Sequence, residues 1–151
     1  MPALASPPTP GAAAAAPDSG PPSAVEDFAY PGATQILRDK GIKLVRGDGH
    51  LLLADCNDNK PQIKVMTKAD ASVGRAGQYC FQATAKTGYL TLEVPRVFYL
   101  QTADHPISAD LSADGQKKTV DLSKDDFKSV GEGDILSGGK RSVLVELRVT
   151  G

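Results

Sequence analysis

The segment from Asp110 to Asp121 carries oxygen-bearing side chains at the spacing of a calcium-binding loop. Five residues match positions 1, 3, 5, 6 and 12 of an EF-hand loop: Asp110, Ser112, Asp114, Gly115 and Asp121. Lys117, however, stands at position 8, where such a loop packs an apolar side chain. The flanking residues alternate between apolar and polar, and Asp-Gly is a favoured two-residue turn. We therefore predict a β-hairpin turning at Asp114-Gly115 rather than a calcium site.

A second polar segment imitates only the opening of a calcium loop. Asp55, Asn57 and Asn59 have the ligand spacing. Lys60 replaces the loop glycine, and Met66 occupies the position of the bidentate acid. We interpret this segment as a polar loop between strands.

Zinc and catalysis are poorly supported by the remaining reactive side chains. The candidate zinc ligands are His50, Cys56, Cys80 and His105. Their separations of 6, 24 and 25 match neither the zinc-finger nor the zinc-ribbon pattern. The chain has no GxSxG, HExxH, P-loop or Rossmann glycine motif. We therefore expect no metal, no cofactor and no enzymatic activity.

The tripeptide Arg46-Gly47-Asp48 is the adhesion motif that integrins recognise, but a structural interpretation is available. Gly49 follows it, and the segments on either side alternate like strands. Glycines supply the positive φ angles of tight hairpin turns. We interpret the tripeptide as part of a hairpin turn.

The two cysteines have two possible states. Paired, Cys56 and Cys80 would close a loop of about 25 residues and contribute about 3.5 kcal/mol in the chain-entropy model. The alternative is two buried free thiols in a cytosolic domain. The segment Ala3-Leu4-Ala5 before Ser6 has the small-residue form of a signal-peptidase site, although no basic or apolar region precedes it. That feature favours export, and with it the disulfide.

The elements that would position these residues are mostly strands. Apolar spacing and Gly41 predict one short helix over residues 31–40. Alternation then predicts strands at 42–44, 51–54, 62–67, 78–85, 89–94, 97–101, 107–112, 118–122 and 143–149. In the last strand, the pattern places Val143, Val145, Leu147 and Val149 on one face. The predicted fold is mainly β, an antiparallel sandwich or partly open barrel with a short N-terminal helix and an extended N-terminal arm.

The chain divides into an arm, residues 1–24, and a globular domain, residues 25–151. The arm holds seven of the eleven prolines and eight alanines, with a single charge at Asp18. Such a composition buries too little apolar surface to fold alone, so we expect an extended segment. The net charge of −1 argues against nucleic-acid binding, and no apolar run approaches a membrane span.

The arm is either a linker or a peptide that another protein binds. Extended Ala/Pro segments lose little entropy on binding and fit narrow clefts. The recognition hypothesis assigns the partner-binding arm to Ala13, Ala14, Ala15, Ala16, Pro17, Asp18, Ser19, Pro21 and Pro22. It assigns the anchor of the arm to Val25, Phe28 and Tyr30, the first bulky apolar side chains.

Three segments, AVEDFAYPGATQIL, KLVRGDGHLLLADC and YCFQATAKTGYLTLEVP, resemble the small secreted adaptor subunit of actinobacterial umbrella toxin particles. The resemblance covers residues 25–149 and implies a disulfide between Cys56 and Cys80. It implies two protein partners in an antibacterial complex: a lectin-like subunit with a degenerate trypsin-like fold, whose cleft takes the arm, and a repeat-bearing toxin scaffold. The alternative function is a secreted hydrolase inhibitor or a small carbohydrate-binding module.

Overall fold

The computed structural model describes residues 28–151 and begins with a short helix. Helix α1 spans Ala33–Lys40, two residues shorter at its start than predicted because Pro31 and Gly32 form the turn that precedes it. The N–H of Gly41 bonds the carbonyl of Leu37 at 3.1 Å and ends the helix. Half-buried Ile36 packs the helix against the hydrophobic core. No helix among residues 28–151 is long and apolar enough to cross a bilayer.

Ten strands follow. In chain order they are β1 (Lys43–Gly47), β2 (Leu51–Ala54), β3 (Ile63–Thr67), β4 (Gln78–Ala83), β5 (Gly88–Pro95), β6 (Val97–Gln101), β7 (Ile107–Ala113), β8 (Gln116–Leu122), β9 (Phe127–Ser129) and β10 (Val143–Val149). Sheet A has the order β1-β5-β10-β7-β8, and sheet B has the order β2-β4-β3-β6-β9. All strand pairs are antiparallel. The predicted β-sandwich is confirmed, and neither sheet closes into a barrel.

The hydrophobic core lies between the two sheets. Its largest fully buried side chains include Phe81 and Leu100 from sheet B and Leu90, Leu92 and Leu147 from sheet A. Each such side chain contributes about 1.5–3 kcal/mol relative to an exposed position. The sandwich is therefore held mainly by apolar packing across one interface.

The predicted facing of β10 is correct for Leu147 and Val149 and wrong for Val143 and Val145. Leu144, Leu147 and Val149 are buried, whereas Val143 and Val145 are only half-buried. The register against β7 shifts between Leu144 and Glu146, so Val145 is the extra residue of a β-bulge. A bulge reverses the alternation of faces, which a simple period of two does not anticipate.

The predicted hairpin at Gly47-Asp48-Gly49 is also wrong. β1 pairs with β5 in sheet A, and β2 pairs with β4 in sheet B, so this turn carries the chain from one sheet to the other. The Asp48 carboxylate accepts hydrogen bonds from the N–H groups of His50 at 3.1 Å and Tyr89 at 3.3 Å. A glycine-rich turn can form either a hairpin within one sheet or a corner between two sheets, and the packing of the core determines which one forms.

Two covalent or local predictions are confirmed. β7 and β8 form a hairpin whose turn residues, Asp114 and Gly115, have φ angles of 51° and 77°. Both angles are positive, as a two-residue type I′ turn requires. Cys56 and Cys80 form a disulfide with a Cα–Cα distance of 5.1 Å.

Candidate functional site

A groove lies where the two sheets splay apart, between β8 of sheet A and β9 of sheet B. Its volume is about 620 Å³, within the range of ligand-binding clefts. β8 has seven residues and β9 only three, so part of β8 has no opposing strand. The apolar floor includes Leu111, Val120 and Val130. We call this side of the sandwich the open edge.

Lysines dominate the charge around this groove. Four line it, Lys117, Lys118, Lys128 and Lys140, against two aspartates, Asp121 and Asp134. Lys118 lies 3.8 Å from Asp134, and Lys140 lies 3.4 Å from Asp114 at the hairpin turn. Both lysine side chains are 65% exposed, so these pairs hold them weakly. The groove therefore has a positive rim.

The outer edge of β8 has main-chain groups that no strand of the described chain uses. Ala113 and Gln116 flank a two-residue turn and form a hydrogen-bonded pair, so Lys117, Thr119 and Asp121 direct their N–H and C=O groups away from β7. The ammonium group of Lys128 donates to the Asp121 carbonyl at 2.6 Å. One outward carbonyl is thus occupied by a side chain in place of a neighbouring strand.

A loop of residues 131–139 stands at the end of the groove, and its base is firmly fixed. The Arg96 guanidinium donates two hydrogen bonds to the Glu132 carboxylate, at 3.0 and 2.6 Å. This pairing lowers the pKa of Glu132 and raises the pKa of Arg96. A Cβ atom at Gly133 would lie 2.3 Å from the Phe98 carbonyl oxygen, so the close approach requires glycine. The loop therefore has a fixed base.

The tip of this loop presents two aliphatic side chains to solvent. Ile135 is 81% exposed and Leu136 is fully exposed. A pair of adjacent apolar side chains on a fixed loop resembles the anchor residues at the centre of protein interfaces. Asp134, directly before them, lines the groove. The apolar tip and the positive groove therefore form one continuous surface.

The opposite edge of the sandwich is closed by the residues that precede α1. Tyr30 N–H bonds the Val45 carbonyl at 3.0 Å, and Gly47 N–H bonds the Phe28 carbonyl at 2.9 Å, so residues 28–30 run along β1. The Tyr30 hydroxyl accepts a hydrogen bond from the N–H of Leu53 in β2 at 2.9 Å. Tyr30 thus joins the edge strands of both sheets, and we call this side the closed edge.

The predicted anchor residues are only partly covered by the structure. Tyr30 packs against the core, whereas the Phe28 side chain is 49% exposed and is attached through its backbone. Val25 lies outside the described residues. So do all residues of the predicted partner-binding arm: Ala13, Ala14, Ala15, Ala16, Pro17, Asp18, Ser19, Pro21 and Pro22.

The outer face of sheet B carries a small aromatic platform. Tyr99 and Phe127 stack with ring centroids 5.8 Å apart and an interplanar angle of 28°. Phe127 is 62% exposed. Gln101 lies beside Phe127 in the register, and its amide makes no side-chain hydrogen bond within residues 28–151. This platform combines aromatic faces with an uncommitted amide.

In the EF-hand-like segment 110–121, the first candidate ligand, Asp110, is bonded to side chains of sheet A. The Asp110 carboxylate accepts two hydrogen bonds from Arg148, at 2.8 and 2.9 Å, and one from Thr119 at 2.7 Å. The Arg148 guanidinium lowers the pKa of Asp110 to about 2, although partial burial opposes the shift. Asp110 thus acts as a structural ion-pair partner on the outer face of sheet A.

Two of the other candidate metal ligands, Cys56 and Cys80, are joined to each other in the disulfide. Within residues 28–151, no group of three or more His, Cys, Asp or Glu side chains has a metal-binding arrangement. His105 Nδ1 lies 2.8 Å from the Gly151 carbonyl oxygen, and His50 lies at the corner between the sheets. Each histidine has an aspartate neighbour: His50 Nδ1 lies 3.6 Å from Asp48, and His105 Nε2 lies 3.8 Å from Asp104.

Sequence reasoning missed the surface that the structure brings together at the open edge. The available signal was Ile135-Leu136 between Gly131, Gly133 and the pair Gly138-Gly139, two aliphatic residues in a segment of turn formers. Comparison with protein-family models finds no match, and comparison with curated proteins finds none either. The two edges and the outer faces of the sandwich are therefore the surfaces on which a function can be based.

Proposed function

We propose that this chain is a non-catalytic adaptor that binds two partner proteins at opposite edges of its sandwich. The observation that carries the proposal is the separation of the two edges. The arm is attached at the closed edge through residues 28–30, while the Ile135-Leu136 loop and the groove lie at the open edge. Four strand spacings separate β1 from β8, about 19 Å. Two partners would not compete for one surface.

The identity of the partners follows the sequence resemblance and is part of the same proposal. The protein is secreted, where an oxidising compartment maintains the Cys56–Cys80 disulfide. Its arm enters the cleft of a lectin-like subunit with a degenerate trypsin-like fold. Its open edge binds the repeat scaffold of an antibacterial toxin. The exposed Ile135-Leu136 pair supports the second contact, because such a pair gains most from burial in a partner.

The test compares three immobilised baits in one quantitative capture experiment with the two purified candidate partners. The baits are the full chain, a chain lacking residues 1–23, and an Ile135→Ser/Leu136→Ser variant. We expect the truncated chain to lose the lectin-like partner alone and the loop variant to lose the scaffold alone. An exposed double variant in the loop between β4 and β5, Lys86→Ser/Thr87→Ser, is the control and keeps both partners. Retention of both partners by both test baits contradicts the adaptor proposal.

The aromatic platform favours a second candidate function, carbohydrate binding. Aromatic rings stack on the C–H faces of sugar rings, and amides bond the sugar hydroxyls. Tyr99 and Phe127 together offer at most about 500 Å², well below the roughly 800 Å² per partner of a standard protein interface. A platform of this size suits a sugar better than a protein.

A glycan array probed with the wild-type chain and with Phe127→Ala tests this second function. A glycan signal that Phe127→Ala reduces at least tenfold would support it. Leu52→Ala, a change at an exposed aliphatic side chain of the same sheet, is the matched control. A signal equal for wild type and Phe127→Ala assigns the binding to another surface and rejects the platform.

A further inference from the structure

We propose that the free edge of β8 binds an extended, acidic segment of a partner protein as an added strand. The inference rests on the adaptor function proposed above and names the chemistry of the partner at the open edge. Its first support is the register of the β7–β8 hairpin, in which Lys117, Thr119 and Asp121 direct main-chain groups outward. An extended peptide satisfies these groups with the hydrogen bonds of an antiparallel or parallel ladder.

Of the main-chain groups that β8 directs outward, one already bonds to a side chain, that of Lys128. Its ammonium group bonds the outward carbonyl of Asp121 at 2.6 Å. The outward groups of Lys117 and Thr119 have no such protein partner within residues 28–151. The free part of the edge is therefore the half of β8 nearest the hairpin turn, beside Lys140 and Asp114.

The positive charge at the edge of β8 favours an acidic partner strand over a second copy of this chain. Lys117, Lys118, Lys128 and Lys140 all line the groove, and the side chains of Lys117 and Lys118 leave β8 on opposite faces. Like charges directly opposite one another destabilise paired strands, and lysines on edges prevent pairing with similar strands. A second copy of this chain would place Lys117 and Lys118 against their equivalents. An acidic strand removes that repulsion and replaces it with attraction.

The groove beneath the edge accommodates the side chains of an added strand. Alternate side chains of such a strand would face the cavity of about 620 Å³, toward the lysine rim. Carboxylates at alternate positions would therefore meet Lys118 and Lys140, whose present pairs with Asp134 and Asp114 are long, 3.8 and 3.4 Å. Exchange of these weak pairs for a partner's carboxylates leaves the fold unchanged.

The test uses a synthetic nine-residue peptide of alternating Glu and Thr, with blocked ends, titrated into the isotope-labelled full chain. We expect saturable amide chemical-shift changes at Lys117 and Thr119. A matched peptide with Lys in place of Glu should bind at least tenfold more weakly. Raising the salt concentration should weaken the Glu peptide, because its attraction is partly electrostatic.

Two variants of one residue separate main-chain pairing from charge. Lys117→Ala keeps the outward N–H and removes one charge, so we expect a loss of about two- to threefold. Lys117→Pro also removes the outward N–H, so we expect a further loss of at least tenfold. Edge positions with an outward N–H accept proline, and an unchanged circular dichroism spectrum will verify folding.

Three outcomes overturn the inference. The first is the absence of any shift at β8 with peptide at about 2 mM, a concentration that would more than half-saturate a site with a Kd of about 1 mM. The second is equal affinity of Lys117→Pro and Lys117→Ala, which assigns the binding to charge without strand addition. The third is tighter binding of a uridine oligonucleotide of equal charge than of the Glu peptide. The adaptor function has its own readout in the capture experiment, so strand addition can fail while the scaffold contact at Ile135-Leu136 is retained.

Discussion

The two lateral edges of this sandwich both consist of antiparallel edge strands, but these strands are covered in different ways. At the closed edge, residues 28–30 run beside β1, and the Tyr30 hydroxyl reaches the backbone of β2. At the open edge, β8 and β9 diverge around a groove of about 620 Å³, and side chains make the connections across it. Lys128 of β9 bonds the Asp121 carbonyl of β8 at 2.6 Å, and Lys118 lies 3.8 Å from Asp134. At the closed edge, the main-chain groups of the edge strand bond to the backbone of the same chain. At the open edge, side chains take this role.

The difference shows how a sandwich can separate stability from recognition. Sheet edges must be covered, charged or paired to avoid unwanted association. The closed edge is covered and carries the disulfide on its side, between the loop after β2 and β4. The open edge is charged and displays Ile135 and Leu136. We therefore expect substitutions at the closed edge to change the free energy of unfolding and substitutions at the open edge to leave it nearly unchanged.

The largest effect is expected from the disulfide at the closed edge. Replacing both Cys56 and Cys80 with Ala should lower the free energy of unfolding by about 3.5 kcal/mol, because the unfolded chain regains the entropy of a 25-residue loop. Urea unfolding of the two proteins measures the difference. Hydrogen exchange should accelerate in both sheets, because the whole fold is destabilised, and most strongly in residues 51–62, where the loop loses its link to β4. A loss below about 1 kcal/mol, or equal acceleration at both edges, contradicts the comparison.

Tyr30 is expected to have the next largest effect. Tyr30→Ala removes a half-buried ring and the bond to Leu53 N–H, and should destabilise the protein by about 2–3 kcal/mol. Tyr30→Phe removes only the hydroxyl and should cost about 1 kcal/mol. Thermal or urea denaturation of both variants measures the series. If Tyr30→Phe is as damaging as Tyr30→Ala, the hydroxyl bond, rather than ring packing, closes this edge.

The ion pair of Asp110 predicts a pH dependence inside sheet A. Its pKa is about 2 in the folded chain and 3.8 in the reference state, so it contributes stability above pH 4 that is lost as the pH falls toward 2. The loss is at most about 2 kcal/mol. Urea unfolding at pH 5 and pH 2 should show a smaller pH effect in Asp110→Asn than in wild type. Asp125→Asn, at an exposed carboxylate, is the control, and an equal reduction in it would contradict the assignment.

The smallest stability effect is expected at the open edge. Ile135→Ser/Leu136→Ser should change the free energy of unfolding by less than about 0.5 kcal/mol, because both side chains are exposed in the folded chain. Fluorescence of an apolar dye bound to the folded protein should fall. A loss above 1 kcal/mol would mean that this loop stabilises the fold, and would remove the contrast between the edges.

Residue periodicity was sufficient to predict most of the fold. Helix α1 and nine of the ten strands follow from apolar spacing and turn residues, as does the β7–β8 hairpin at Asp114-Gly115. Strand β9 was missed because its three residues, Phe127–Ser129, are all exposed and too few to show a period. The alternation of apolar and polar residues predicts strands that have one buried face, and β9 has no buried face.

Features that depend on distant contacts were not predictable. The bulge at Val145 exists because β10 must match both β5 and β7 at once. The turn at Gly47–Gly49 is a corner because β1 and β2 find different partners. The open edge depends on the unequal lengths of β8 and β9, and no spacing in the sequence reveals which lysines will meet around a groove.

The attachment of residues 28–30 along β1 has a mechanical consequence. Tension applied through the arm reaches Phe28 first, and the bonds to Gly47, Val45 and Leu53 are loaded in sequence rather than together. Their release and the unwinding of α1 would free residues 28–41, up to about 50 Å of extended chain, while fully buried Ile42 and both sheets stay folded. This segment would extend under force before the two sheets begin to unfold. Single-molecule pulling would record a short extension step before the main unfolding event.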